Sequence, residues 1–138
     1  MQTARVKWIE HEQFLGTSVS GHAVPFDSDR DRNTAPGPME MLLLALGACT
    51  ATDVAMILGK KRQRLEGLEV MVSGERAADP PRVWTHLEIL YRLRGELNEK
   101  AVRDAIELSQ AKYCSVAAML GKTAEITSRY EIHPPEKG

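Results

Sequence analysis

Residues Met39 to Leu58 read MEMLLLALGACTATDVAMIL, the longest apolar segment in the chain and the one that carries Cys49. Pro38 stands just before it, where a missing N–H costs nothing in a first helical turn. Glu40 in that turn suits the positive end of a helix dipole. Gly59 and the cations Lys60, Lys61, Arg62 and Arg64 then close the segment, as expected at a helix C-terminus. A helix apolar on nearly every face implies burial on all sides. About five helical turns of that kind are more than one small domain covers by itself, so a second subunit is expected to supply part of the cover. Glu40 on one side and Thr50, Thr52 and Asp53 on the other interrupt the apolar run. A bilayer span needs roughly 20 predominantly apolar residues, so a soluble, cytoplasmic chain with reduced thiols is expected, with no membrane partner.

Working outward, residues 3–27 read as a short antiparallel meander. Val6 and Trp8 alternate with Arg5 and Lys7, Phe14, Leu15 and Val19 follow, and His22–Phe26 makes a third run. The segment DSDRDRNTAPGP, residues 27–38, is a loop, because its charges and prolines neither pack a core nor hold a ladder. After the helix, Leu68, Val70 and Val72 alternate with Glu69, Met71 and Ser73 as a half-buried strand. A turn at residues 77–81 then leads to the alternation Val83, Thr85, Leu87, Ile89, Tyr91 and Leu93, so the two form a hairpin. Asn98 is placed to cap a helix through Leu108. Tyr113-Cys114-Ser115 breaks its period, Val116–Leu120 makes a short helix capped by Ser115 or Cys114, and Ala124–Ile132 alternates as a last strand. With no regular strand–helix–strand alternation, the expectation is one α+β domain, residues 1–138, with antiparallel sheet.

Composition narrows the function classes. Net charge is −1 with the basic residues dispersed, whereas a nucleic-acid or membrane-surface patch needs Lys and Arg clustered. Hydrophobic residues at 43% are enough for an ordinary core. The N-terminus MQTARVKWIEHEQ has no apolar signal region. Two cysteines are too few for a secreted disulfide scaffold.

Those two, Cys49 and Cys114, stand 65 positions apart, which fits neither a CxxC motif nor a zinc cluster, so neither metal nor cofactor is expected. Two readings stay open. Both thiols are small core hydrophobes, as free cysteines usually are. Alternatively one is oxidised to a sulfenic acid and the other condenses with it. Cys114 at a helix N-terminus is where a thiolate is favoured, whereas Cys49 in apolar surroundings needs a cation to become reactive. His22 and His86 fall in strands and are taken as structural.

The segment APGPMEMLLLALGACTATDVAMILGKKR, together with KYCSVAAML, resembles the OsmC/Ohr family, and within it the OsmC-like subgroup of YhfA type. The resemblance covers nearly the whole chain. It implies an OsmC-like fold, an intertwined homodimer whose antiparallel sheets wrap around a long buried central helix. It further implies a thiol-dependent peroxidase that reduces organic hydroperoxides in oxidative-stress defence. Cys49 would attack and Cys114 resolve, and a dithiol or lipoyl-type reductant would reopen the disulfide.

Two positions depart from the pattern the resemblance implies, an N-terminal Arg and a Glu ten residues before the attacking Cys. Met39 holds the latter position. Glu40, nine residues before Cys49, falls near the opposite side of the helix at about 100° per residue and reads as a structural first-turn anion. Arg30 and Arg32, in the loop before the helix, are the candidate cations. Thr52 and Asp53, three and four residues beyond Cys49, share its helical face. Asp53 would raise a neighbouring thiol's pKa, and either pairs structurally or binds an Arg or a polar ligand. These departures leave a second hypothesis: a non-peroxidatic dimer whose pocket binds a small apolar or thiol-reactive ligand.

Overall fold

A computed structural model describes residues 1–137 as two compact units, the first Met1–Leu42 and the second from Leu43 onward. The first holds β1 (Arg5–Glu10), β2 (Gln13–Thr17) and β3 (Ala23–Asp27), an antiparallel meander in that order. Trp8 faces Phe14, and Phe14 faces Phe26, across its ladders. The expected alternation does not produce a buried face in one chain, since every residue of β1 is exposed, Trp8 by 62%. The loop that follows is organised by carboxylates. Buried Asp27 accepts from the Asp29 N–H and from the N–H and hydroxyl of Thr34. The Thr34 hydroxyl is the main cause that holds the Asp27 carboxyl below its usual value.

Helix α1 (Pro38–Lys60) begins in the first unit and runs on into the second. Its C-terminus differs from the sequence expectation. Gly59 lies inside the last turn, and Arg62 takes the left-handed conformation, φ 57°. The Gln63 N–H returns to the Leu58 carbonyl and the Arg62 N–H to the Gly59 carbonyl, the two bonds of a Schellman motif.

The second unit continues with β4 (Arg64–Arg76), β5 (Trp84–Glu96), α2 (Glu99–Leu108), a π-helical turn (Ser109–Tyr113), α3 (Ser115–Leu120) and β6 (Glu125–His133). The hairpin β4–β5 forms as expected, with Val70 opposite Tyr91. Asn98 caps α2 by accepting from the Ala101 N–H at 3.0 Å. The expectation of antiparallel sheet fails at the last strand: β6 pairs with β5 in parallel, His86 opposite Glu125 through Arg94 opposite His133. The helices between β5 and β6 carry the chain back along the sheet, so the third strand re-enters in the direction of its neighbour. The result is a mixed α+β architecture of two three-stranded sheets and one long helix.

Leu46, Val54 and Leu58 of α1 join Leu87, Ile89, Tyr91 and Leu93 of β5 and Val102, Ala105 and Ile106 of α2 in one buried cluster. At Gly47 the helix comes close enough to β4 that an added Cβ would stand 3.4 Å from Val72. Burial of α1 on all sides is not what one chain provides. Leu46, Gly47, Thr50, Val54 and Leu58 are covered, but Leu44 and Met56 remain 61% and 56% exposed. By length and composition α1 is apolar enough to cross a bilayer. A core helix passes the same test, and the stripe through Leu46, Val54 and Leu58 packs as one.

Candidate functional site

Cys49 lies mid-helix on α1, half-buried beside the covered stripe. Cys114 is 2% exposed. It sits at the end of the π-helical turn, whose closing bond runs from the Cys114 N–H to the Ser109 carbonyl at 2.7 Å. That extra residue in the turn is the interruption the sequence shows at Tyr113–Ser115, and such bulges in helices recur at functional sites. Cys114 is then the N-cap of α3, its sulfur accepting from the Ala117 N–H at 3.4 Å. The two sulfurs and a carboxylate oxygen of Asp53 all lie within 4.8 Å of one another. Both cysteines are free thiols.

The helix N-terminus does not make Cys114 a ready thiolate. Burial pushes its thiol up to about 11, hydrogen bonding to Cys49 adds to the rise, and the Ala117 N–H opposes it. The Cys49 and Asp53 charges raise it further, so Asp53 acts on a thiol as expected, but on Cys114.

Around this trio runs a line of buried hydroxyls. Ser109 Oγ donates to Asp53 Oδ2 at 2.9 Å. A carboxylate only accepts, and a serine hydroxyl has one proton. Thr50 Oγ1, 2.8 Å from Ser109 Oγ, therefore donates to Ser109. With that proton committed, the Tyr91 hydroxyl, 2.7 Å from Thr50, donates to Thr50. The Gln110 amide donates to Tyr91 at 2.9 Å. All donors point one way, from Gln110 to the Asp53 carboxylate. Such a line is cooperative in a low-dielectric interior, and Thr50, Tyr91 and Ser109 are fully buried. Burial pushes the Tyr91 phenol above its ordinary value, partly offset by its bonds with Thr50 and Gln110.

Sequence reasoning missed Thr50, Tyr91, Ser109 and Gln110. A threonine within an apolar helix and a tyrosine within an alternating strand were the available signals; Ser109 and Gln110 offered none. Of the expected supporting residues, Asp53 joins the thiols. The exposed Thr52 hydroxyl turns back to the Ala48 carbonyl of its own helix at 2.8 Å. The Glu40 carboxylate accepts from the Gly37 N–H at 2.6 Å, the first-turn role expected of it. Arg30 and Arg32 are exposed residues of the first unit's loop, where the Asp29 carboxylate receives the Arg32 N–H. On its outer side Asp53 borders a groove of about 470 Å³ with Met56, Ile57, Leu108 and Tyr113 as apolar walls and Lys60 and Lys61 at its rim.

These features meet known proteins at several levels. The family model described as OsmC-like protein matches residues 30–129. The chain belongs to that family. It is 46% identical over 130 residues to Protein YhfA of Escherichia coli K12, covering 94% of this chain and 96% of that one. Among solved structures, a hypothetical protein from Aquifex aeolicus is 29% identical with a TM-score of 0.89, covering 99% of this chain and 98% of the other. The organic hydroperoxide resistance protein OhrB of Bacillus subtilis has the same fold at a TM-score of 0.69, with 10% identity over 94% of this chain and 98% of that one.

Proposed function

We propose that residues 1–138 form one OsmC-like domain that acts as a cytoplasmic, homodimeric thiol peroxidase for organic hydroperoxides in oxidative-stress defence. The observation that carries this reading is the Cys49–Cys114 pair, two free thiols from distant parts of the chain with sulfurs within 4.8 Å. Cys49 is the more accessible and takes the attacking role, and buried Cys114 resolves. The Cys49 thiolate attacks the terminal peroxide oxygen; the S–O bond forms, the O–O bond breaks, and the alkoxide leaves as alcohol after taking a proton. Cys114 then attacks the sulfenic sulfur, an S–S bond forms, and water leaves. A dithiol of lipoyl type returns the two electrons. The gap is wider than the roughly 2.05 Å of a disulfide, so side-chain rotation and local backbone movement must close it.

The homodimer is supported by apolar surface that one chain leaves open. Leu44 and Met56 of α1 are exposed, as is β1. Leu43, Leu44, Gly47, Ala48, Ala51, Val70 and Val72 line an apolar groove of about 350 Å³. The groove beside Asp53, with its apolar walls, suits an organic hydroperoxide over hydrogen peroxide.

The test is to treat the reduced protein with an alkyl hydroperoxide and count thiols. The expected result is loss of both thiols with one alcohol formed, and in Cys114→Ser a sulfenic acid trapped at Cys49. Both thiols persisting while hydroperoxide remains refutes the proposal. A stabilising ligand that leaves the thiols intact would instead favour binding without turnover.

A further inference from the structure

We infer that Cys49, Cys114 and Asp53 form a binding site for a thiophilic divalent metal ion of the zinc type, and that metal and disulfide exclude each other. The donor set is the first reason. Two thiolates and one carboxylate match zinc or cadmium and do not suit magnesium or calcium, which take oxygen ligands. Geometry is the second. The three donor atoms already lie within 4.8 Å of one another. Tetrahedral zinc with bonds of about 2.3 Å to sulfur and 2.0–2.2 Å to oxygen needs donors roughly 3.5–3.8 Å apart. A contraction of at most about 1.3 Å per pair therefore closes the site. Cys49 and Asp53 stand one helical turn apart on α1, so their spacing is held by the helix itself.

The surroundings are those a metal site needs. Ser109 Oγ donates to Asp53 Oδ2 at 2.9 Å, and the Ala117 N–H points at Cys114 Sγ at 3.4 Å. Partners of this kind orient ligands, and their loss typically weakens a metal site by about 10–100-fold. Ser109 is itself fully buried and fixed by Thr50, so the carboxylate is oriented before any ion arrives. Three protein ligands leave a fourth position for water. The chemistry balances: one divalent ion replaces two thiol protons, two metal–sulfur bonds form, and no electrons move. Sequence spacing hides the site because Cys114 is 65 positions from Cys49 while Asp53 is only four beyond it.

The consequence is a redox gate. Ion and disulfide compete for the same two sulfurs. While bound, the ion withholds both from hydroperoxide. Once it has left, hydroperoxide takes the two electrons, its O–O bond breaks to give alcohol and water, and the S–S bond that forms leaves no thiolate to bind the ion again. The site requires only reduced thiols and does not rest on peroxidase turnover. Titrating the reduced full-length protein with cobalt(II) tests it. The expected result is intense thiolate-to-cobalt absorption that saturates at one ion per chain and is displaced by zinc(II). Oxidising the wild-type chain to its disulfide abolishes that absorption, a comparison that needs no substitution. Cys49→Ser and Cys114→Ser each reduce it, and Asp53→Asn lowers zinc affinity about tenfold or more while keeping the sulfur signature. Absence of charge-transfer absorption, or zinc affinity unchanged in both cysteine variants, overturns the inference. Thiols inert to hydroperoxide that still bind cobalt would sink the peroxidase reading alone, and the converse result would sink the metal site alone.

Discussion

The line of hydroxyls from Gln110 to Asp53 makes a prediction whose size follows from the structure. Thr50→Val keeps the shape of a fully buried side chain and removes its hydroxyl. Two hydrogen bonds disappear, to Tyr91 at 2.7 Å and to Ser109 at 2.8 Å. At about 1 kcal/mol net for each bond, that is a loss of about 2 kcal/mol. The ends of the line fare differently. Ser109 keeps its acceptor, Asp53, and needs no proton from Thr50. Tyr91 still accepts from Gln110 but has lost the acceptor for its own proton, and it is fully buried. A stranded buried donor costs about 1–3 kcal/mol, which brings the expected destabilisation of Thr50→Val to about 3–5 kcal/mol. Tyr91→Phe leaves Thr50 still donating to Ser109 and frees the half-buried Gln110 for water, so about 1–2 kcal/mol is expected. In the double variant nothing is stranded and the shared Thr50–Tyr91 bond is lost only once, so its loss should fall short of the sum by about 2–4 kcal/mol. Urea unfolding of the four proteins at one fixed protein concentration measures the cycle. Strict additivity, or a Thr50→Val cost below about 0.5 kcal/mol, would refute the directional line of donors.

Two backbone predictions follow from positive φ angles. Arg62 ends α1 in the left-handed conformation at φ 57° with no glycine to ease it. Arg62→Gly should therefore raise stability by about 1 kcal/mol, read as a higher urea midpoint with an unchanged slope. Gly95 sits at φ 142° beside the bulge between Leu65 and Gly67, and a Cβ there would run into the Arg64 carbonyl oxygen. Gly95→Ala should cost more than about 3 kcal/mol. Thermal unfolding checks it, and a melting point within a degree or two of the parent would show that the β4–β5 register does not depend on glycine.

The segments with local signals were legible, and those set by long-range geometry were not. Pro38, the cationic end of α1, the Asn98 cap and the Cys114 cap each answer to an unpaired backbone group one to three residues away, so residue type alone finds them. The direction of β6 is different. Alternation tells which residues share a face, and it is the same for parallel and antiparallel pairing, so only the path through α2 and α3 decides. The π-helical turn that delivers Cys114 is half legible: the break in period at Tyr113–Ser115 marks where the helix is interrupted, but no residue type there specifies a π turn.

Helix α1 shows how the site stayed half-hidden. Its covered residues Leu46, Thr50, Val54 and Leu58 recur every fourth position and point into the core. Cys49 and Asp53 have the same spacing of four, one position earlier in the chain, which rotates them about 100° to the side of that stripe. A run that reads as apolar all round therefore holds two parallel rows: one packs against β5, and the other carries the thiol and the carboxylate. Thr50 belongs to the first row by position and touches the second by chemistry. Through Ser109, its hydroxyl ties the packed face of the helix to the carboxylate beside the sulfurs. Packing in the core and orientation at the site are thus coupled through one side chain, and a substitution at Thr50 should disturb both.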